Sequence, residues 1–88
     1  MRLDKFLKVS RIIKRRSVAG DACSGGRVSI NGKSAKSAKI VKVGDILEIA
    51  FGDNSFKVRI LQVPQGNVDK AQADSLYQVI TEEKNEQL

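Results

Sequence analysis

The side chains best equipped for chemistry in this chain are cations. Arg2, Lys5, Lys8, Arg11, Lys14, Arg15 and Arg16 all fall within the first sixteen residues, and Asp4 is the only acid among the first twenty. Groups of this kind bind anions: arginine presents a planar fork that engages two phosphate oxygens, and lysine a point charge. Arg2, Lys5 and Lys8 recur every three residues, which on a helix makes one stripe, with Arg11 continuing the spacing. A merely solvated face usually mixes signs, so the stripe reads as a ligand-contact surface. Lys14-Arg15-Arg16 stands directly before Ser17, a candidate N-cap. The free N–H groups and positive dipole end of a helix starting there suit a phosphate already attracted by guanidinium groups. Arg15 and Arg16, nearest the helix start, are the sharper candidates, and Lys14 is the replaceable one.

A third group, Lys33, Lys36, Lys39 and Lys42, is spaced at intervals of three. That period matches neither a strand nor a helix face. It predicts a flexible connector, either a solvated loop or a peripheral phosphate contact, with Arg27, Lys33 and Lys36 as the candidate contacts. The net charge of +6 conceals an asymmetry: residues 1–59 carry fourteen Lys and Arg against five Asp and Glu, whereas residues 60–88 carry two against five. A positive field concentrated in the first two thirds favours polyanions, namely RNA, DNA, an anionic membrane surface or an acidic protein.

Composition argues against catalysis. The chain has no histidine and one cysteine, which removes the commonest general base and the usual zinc ligands. No phosphate loop, nucleophile elbow or close carboxylate pair in an apolar setting is present, so neither a catalytic residue nor a metal or cofactor is expected. Cys23 reads as a small half-buried side chain with no histidine to activate it. No run approaches the roughly 18 apolar residues of a membrane span, and "MRLDKFLKVS" interrupts any signal-peptide core with charges. A cytoplasmic location is expected.

The elements that must position the cations follow from hydrophobic spacing. Leu3, Phe6 and Leu7 form one apolar face and predict a helix over about residues 2–8, followed by Ile12 and Ile13 as a buried connector. A second helix over about residues 17–24 would turn Val18 and Ala22 inward and stop at Gly25-Gly26. Gly20 within it either weakens the helix or marks a close contact. "RVSINGKS" predicts a hairpin turning at Asn31-Gly32. "VGDILEIAFGDNSFKVRILQV" predicts another turning at Gly52-Asp53-Asn54, with Leu47, Ile49 and Phe51 alternating on one strand and Phe56, Val58 and Ile60 on the other. A short helix from Asp69, capped through Asp69 and Gln72, precedes "YQVI" as an edge strand, and "TEEKNEQL" reads as a solvated fray. The expected fold is α+β: two short N-terminal helices packed on a small antiparallel sheet of four to five strands, with a C-terminal helix and strand extension. Residues 1–64 form the domain and residues 65–88 the extension with its acidic tail. With the Phe residues in core phase and only Tyr77 a candidate for exposure, base stacking is not expected. Recognition of backbone shape remains, and structured RNA fits it better than the DNA major groove, because the second helix carries no Asn, Gln or Arg in its body to read base edges.

"MRLDKFLKVSRIIKRRSVA", then "GGRVSINGK" and "VKVGD", resemble the S-four-type RNA-binding domain, or alpha-L motif, over roughly residues 1–50. The residues that carry the likeness are Arg2-Leu3-Asp4, Arg15-Arg16-x-x-Ala19, Gly26-x-Val28, Asn31-Gly32 and Gly44-Asp45, in that order. The short chain resembles more narrowly the stand-alone proteins of this type from bacterial ribosome-associated quality control, relatives of heat-shock protein fifteen. That resemblance implies a non-enzymatic factor, a monomer without small-molecule substrate or membrane. Its implied partners are the large ribosomal subunit through its rRNA, peptidyl-tRNA, and a nascent-chain-tailing factor that adds alanine to the stalled chain. It places Arg2, Lys5, Lys8, Arg11, Lys14, Arg15 and Arg16 on the RNA face, with Asp4 orienting an arginine; Ser17, as the candidate cap, would support that face. Three other readings remain: a recycling factor for split large subunits, a basic protein meeting acidic lipid or protein, and a detached targeting domain of an RNA-modifying enzyme.

Overall fold

The computed structural model describes residues 1–84, with side chains through residue 80. In chain order its elements are α1 (Leu3–Val9), α2 (Arg16–Ser24), β1 (Val28–Ile30), β2 (Lys33–Ser34), β3 (Ile46–Phe51), β4 (Asn54–Ile60), α3 (Lys70–Asp74) and β5 (Tyr77–Lys84). The five strands make one antiparallel sheet in the order β2-β1-β3-β4-β5. This is the expected α+β arrangement. Helix α1 forms where the spacing of Leu3, Phe6 and Leu7 places it, and all three are fully buried, each contributing about 1.5–3 kcal/mol of hydrophobic stabilisation.

The start of α1 has no side-chain cap at Arg2. Instead the Leu3 N–H donates to the Lys39 carbonyl at 2.7 Å and the Asp4 N–H to the Ser37 carbonyl at 3.2 Å. The Val41 N–H donates to the Met1 carbonyl at 3.0 Å, and Arg2 pairs with Ile40 in an isolated bridge. The lysine-bearing segment predicted as a flexible connector is therefore fixed to the N-terminus. The three-residue period of its side chains carries no trace of this, because the backbone carbonyls supply the cap.

Helix α2 differs from expectation at its start and on its buried face. Arg15 occupies the cap position with extended backbone and makes no side-chain cap bond, and Ser17, expected to cap, lies inside the helix and is exposed. The buried trio Ala19, Ala22 and Cys23 faces the core, whereas Val18, expected inward, is 46% exposed. Packing chose the phase: three small side chains on one stripe allow α2 to approach α1 closely, which a β-branched residue would hinder. The helix ends in a Schellman motif, with Gly26 at φ +76, the Arg27 N–H on the Ala22 carbonyl at 2.9 Å and the Gly26 N–H on the Cys23 carbonyl at 3.1 Å.

Asn31 and Gly32, at φ 52 and 87, make the tight hairpin turn expected of them. Asn31 does more: its side chain accepts from the Ile46 N–H at 2.9 Å and donates to Asp45 at 3.1 Å, while Asp45 accepts from the Lys42 N–H at 2.9 Å. In the second hairpin Asn54 already pairs with Phe51, so the turn is Gly52-Asp53 alone. Helix α3 is capped as predicted, the Gln72 N–H donating to Asp69 at 2.8 Å. Strand β5 runs further than "YQVI": Thr81–Lys84 pair with residues 54–57 instead of fraying. The free edge of β4 supplies hydrogen bonds that the acidic composition of this stretch does not betray. Residues 85–88 of the predicted fray lie outside the described residues. Between Lys57↔Thr81 and Val58↔Val79 the register shifts by the one residue Ile80.

Pairing sets Val28, Ile30, Leu47, Ile49, Val58 and Ile60 on one face of the sheet, where they are buried with the helices. Among the described residues no helix is long and apolar enough to cross a membrane.

Gly20 and Gly26 separate two uses of glycine. A Cβ on Gly20 would meet nothing within 4 Å, so the close contact considered for it is absent and Gly20→Ala is expected to stabilise the protein by about 1 kcal/mol through helix propensity. Gly26→Ala, at positive φ, is expected to destabilise by about 1 kcal/mol or more. Urea unfolding of both variants checks the opposite signs.

Candidate nucleic-acid interface

Asp4 is 7% exposed and forms the hub of the basic face. One carboxylate oxygen accepts from the Lys5 N–H at 2.8 Å. Arg2 reaches the carboxylate through Nε at 3.3 Å and Nη2 at 3.4 Å, and Arg16 through Nε and Nη2, both at 3.4 Å. Two arginines far apart in sequence are thus held fork-on to one buried acid, joining the start of α1 to the first turn of α2. About half of each arginine side chain stays exposed. Of the five N–H donors on each guanidinium, Arg2 gives two to Asp4 and Arg16 one, which leaves the rest for an outside acceptor. Asp4 thus holds both guanidinium groups in fixed positions on the surface.

Lys5 is half-buried, and Lys8, Arg11, Lys14 and Arg15 are exposed. Among the described residues none of the five forms an ion pair. Arg11 stands out by its backbone, at φ 64. It follows the last turn of α1, where the Arg11 N–H donates to the Lys8 carbonyl at 3.0 Å and the buried Ser10 hydroxyl donates to the Leu7 carbonyl at 3.2 Å. Glycine is the residue that takes such a position without strain. Arginine there costs about 1–2 kcal/mol of backbone strain.

Three concavities border these side chains. One is lined by Lys8, Arg11, Lys14, Asn67, Val68 and Lys70. Lys70, at the start of α3, is a cation the sequence did not single out, because nothing local ties the C-terminal extension to the N-terminal helices. The second gathers all four lysines of the connector, Lys33, Lys36, Lys39 and Lys42, beside Asn31 and Asp45. The connector adjoins Arg2 through the Ile40 bridge, so this basic surface continues from that of the helices, and Lys39 and Lys42 join it on the same terms as Lys33 and Lys36. Arg27 is placed apart: its guanidinium lies over Gly25 at the far end of α2 from Arg15 and Arg16. Ser17 makes no contact with the cluster beyond its place in the first turn. The first N–H groups of α2, at Arg16, Ser17 and Val18, find no acceptor among the described residues.

The third concavity corrects the expectation about aromatics. Phe51, Phe56 and Tyr77 line it with Arg11, Ile12 and Asn54, and Phe51 is 46% exposed. The alternation that puts Phe51 in phase with Leu47 and Ile49 is right. The strand, however, extends past the area the helices cover. Burial and then the Asp74 charge raise the Tyr77 pKa. Cys23 is 5% exposed, deeper than expected, and burial followed by the Asp4 charge pushes its thiol up, away from thiolate reactivity.

The family model described as the S4 domain matches residues 1–47. The RQC P-site tRNA stabilizing factor of Halalkalibacterium halodurans is 51% identical over 94% of this chain and 93% of its own. That of Streptococcus pneumoniae is 45% identical over 99% and 98%. Among solved structures, the trimeric structure of Vibrio cholerae heat shock protein 15 superposes with a TM-score of 0.83 at 31% identity, covering 91% of this chain and 81% of that one.

Asp4→Asn keeps the size of the hub but replaces one acceptor oxygen by a donor facing the guanidinium groups. It is expected to lower stability by about 1 kcal/mol, because both arginines are half exposed and their pairs with Asp4 are screened, measured by urea unfolding. Arg11→Gly is expected to act in the opposite sense on folding, gaining about 1 kcal/mol by relieving the left-handed strain, while weakening RNA binding in a filter assay. A loss of both stability and binding would refute the account of Arg11.

Proposed function

The chain belongs to the family of RQC P-site tRNA stabilizing factors, built on an S4 domain, and on that premise we propose that it is an RNA-binding factor of ribosome-associated quality control. It binds the large ribosomal subunit obstructed by peptidyl-tRNA, touches the phosphate backbones of rRNA and tRNA, and supports alanine tailing of the stalled chain by a partner factor. It performs no catalysis itself and works in the cytoplasm on ribosomal particles.

The observation that carries this reading is the disposition of charge at the N-terminus. The sole acid of the first twenty residues is turned inward and orients Arg2 and Arg16, while the cations around it face outward. Phosphate has three properties that fit. Its oxygens accept from guanidinium forks, its charge suits the uncapped start of α2 beside Arg15 and Arg16, and its regular spacing along a helix matches cations held on a rigid surface. Binding through such contacts depends on shape, and it agrees with structured RNA more than with base reading. The likeness to heat shock protein 15 keeps a recycling role on split large subunits as the second reading; it predicts no support of alanine tailing.

Sedimentation through a sucrose gradient at low salt tests the proposal. The protein is expected to travel with large-subunit particles that carry peptidyl-tRNA, and to stay at the top when the tRNA has been removed. Arg15→Ala with Arg16→Ala is expected to release it, and to flatten the log-log salt dependence by roughly 0.7–0.9 for each phosphate no longer engaged. Wild-type protein remaining at the top of the gradient in every case would defeat the reading.

A further inference from the structure

We infer that the groove beside Arg11 is a nucleotide pocket that accepts one unstacked base of the bound RNA, with the backbone phosphate of that nucleotide on Arg11. The inference rests on the RNA-binding reading above and adds what part of the RNA is held. The groove is open to solvent and has a volume of about 370 Å³, at the small end of the range that ligand-sized groups fill. Its floor is aromatic: Phe56 and Tyr77 meet edge to face, with centroids 6.4 Å apart and planes at 75°. Phe51 stands on the same face of the sheet, paired with Asn54 across the hairpin, and nearly half of its surface is exposed. A base has a flat π-face for Phe51 or Tyr77, and Asn54 carries both an amide donor and a carbonyl acceptor for its edge.

What decides for a nucleotide over an apolar protein side chain is the rim. Arg11 lines this groove and also the adjoining concavity that holds Lys8, Lys14 and Lys70. Among the described residues neither concavity is lined by an acid. An apolar peptide would use the aromatic floor and leave those cations unmatched. A nucleotide joins the two: its base occupies the aromatic side, and its phosphates, about one sugar away, meet the cationic side. The strained backbone of Arg11 is accounted for in the same way, because a residue placed between the two concavities serves both, and glycine there would serve neither.

Two RNAs of equal length test this, one a perfect duplex and one the same duplex with a single unpaired 2-aminopurine. Wild-type protein is expected to bind the bulged RNA more tightly and to change the fluorescence of its 2-aminopurine. Phe51→Ala is expected to weaken binding to the bulged RNA about tenfold, within the range for one stacked base, to abolish the fluorescence change, and to leave duplex binding unaltered. Phe51→Trp, which keeps a stacking face, is expected to retain both signals, and thermal melting verifies that each variant folds. Equal binding of the two RNAs by wild type, or equal affinities for Phe51→Ala and wild type, would overturn the pocket while leaving the RNA-binding reading in place. Failure of the wild type to bind either RNA would overturn that reading and the pocket with it. Unchanged RNA binding by Phe51→Ala together with loss of a protein partner would assign the groove to protein docking instead.

Discussion

A buried carboxylate needs hydrogen-bonding and charged partners, and Asp4 has two guanidinium groups, one from the cap of α1 and one from the first turn of α2. Much of the functional surface depends on this. The Arg2–Asp4–Arg16 arrangement fixes the distance between the starts of α1 and α2, and it aims two arginine forks that would otherwise sample many rotamers. Because each arginine is about half exposed, its ion pair by itself adds little to stability. Its greater effect is orientation: the rotamer freedom of both guanidinium groups is reduced on folding, before any ligand arrives. The backbone around Asp4 is fixed as well, since its own N–H and that of Leu3 are held by carbonyls of the connector. Helices, connector and cations are in this sense one assembly.

The residues that carry the family pattern divide into two kinds once placed. Asn31, Gly32, Gly44 and Asp45 are structural: they form the positive-φ turns and the side-chain bonds that tie the first hairpin to the segment before β3. The Gly44 N–H donates to the Ile60 carbonyl at 2.8 Å, and the Ile60 N–H to the Asp45 carbonyl at 2.9 Å, extending the tie to β4. Arg2, Asp4, Arg15 and Arg16 are directed outward or orient what is. A small core of Leu, Ile, Val and Ala side chains with little aromatic content gains from such a tie, because a chain this short buries only part of its surface and each loose connection weakens it.

The sequence was legible where a signal is local and periodic. The apolar face of α1, the Asn31-Gly32 turn, the alternation in β3 and β4 and the Asp69 cap each rest on residues within one element, and the structure has them as read. Legibility failed where tertiary contact decides. Ser17 has the chemistry of a cap, yet the phase of α2 follows the Ala19, Ala22 and Cys23 stripe against α1. The connector reads as flexible because its restraints are backbone carbonyls, which leave no mark on side-chain type. Phe51 has the right face, but how far the helical layer reaches across that face is a property of the assembled fold. Lys70 joins Lys8 and Lys14 for the same reason: β5 and α3 return the chain to a place that no local spacing announces.

Charge sets the remaining constraint. Residues 1–59 bring fourteen cations against five acids into a small domain, and the hub uses the one acid near α1 for two of them. Like charges held this close destabilise the compact state, so the fold bears a repulsion that its sheet and core must outweigh. A polyanion seated on the face removes that repulsion and binds the folded state alone, which stabilises the protein by mass action. The same charge that makes the free protein less stable than its core would allow would, on the proposed reading, supply its affinity. A rigid cation surface with spare guanidinium donors suits a partner whose backbone is equally regular, and on the proposed reading the groove where the aromatic side chains meet Arg11 is the one part of that surface equipped to hold a base.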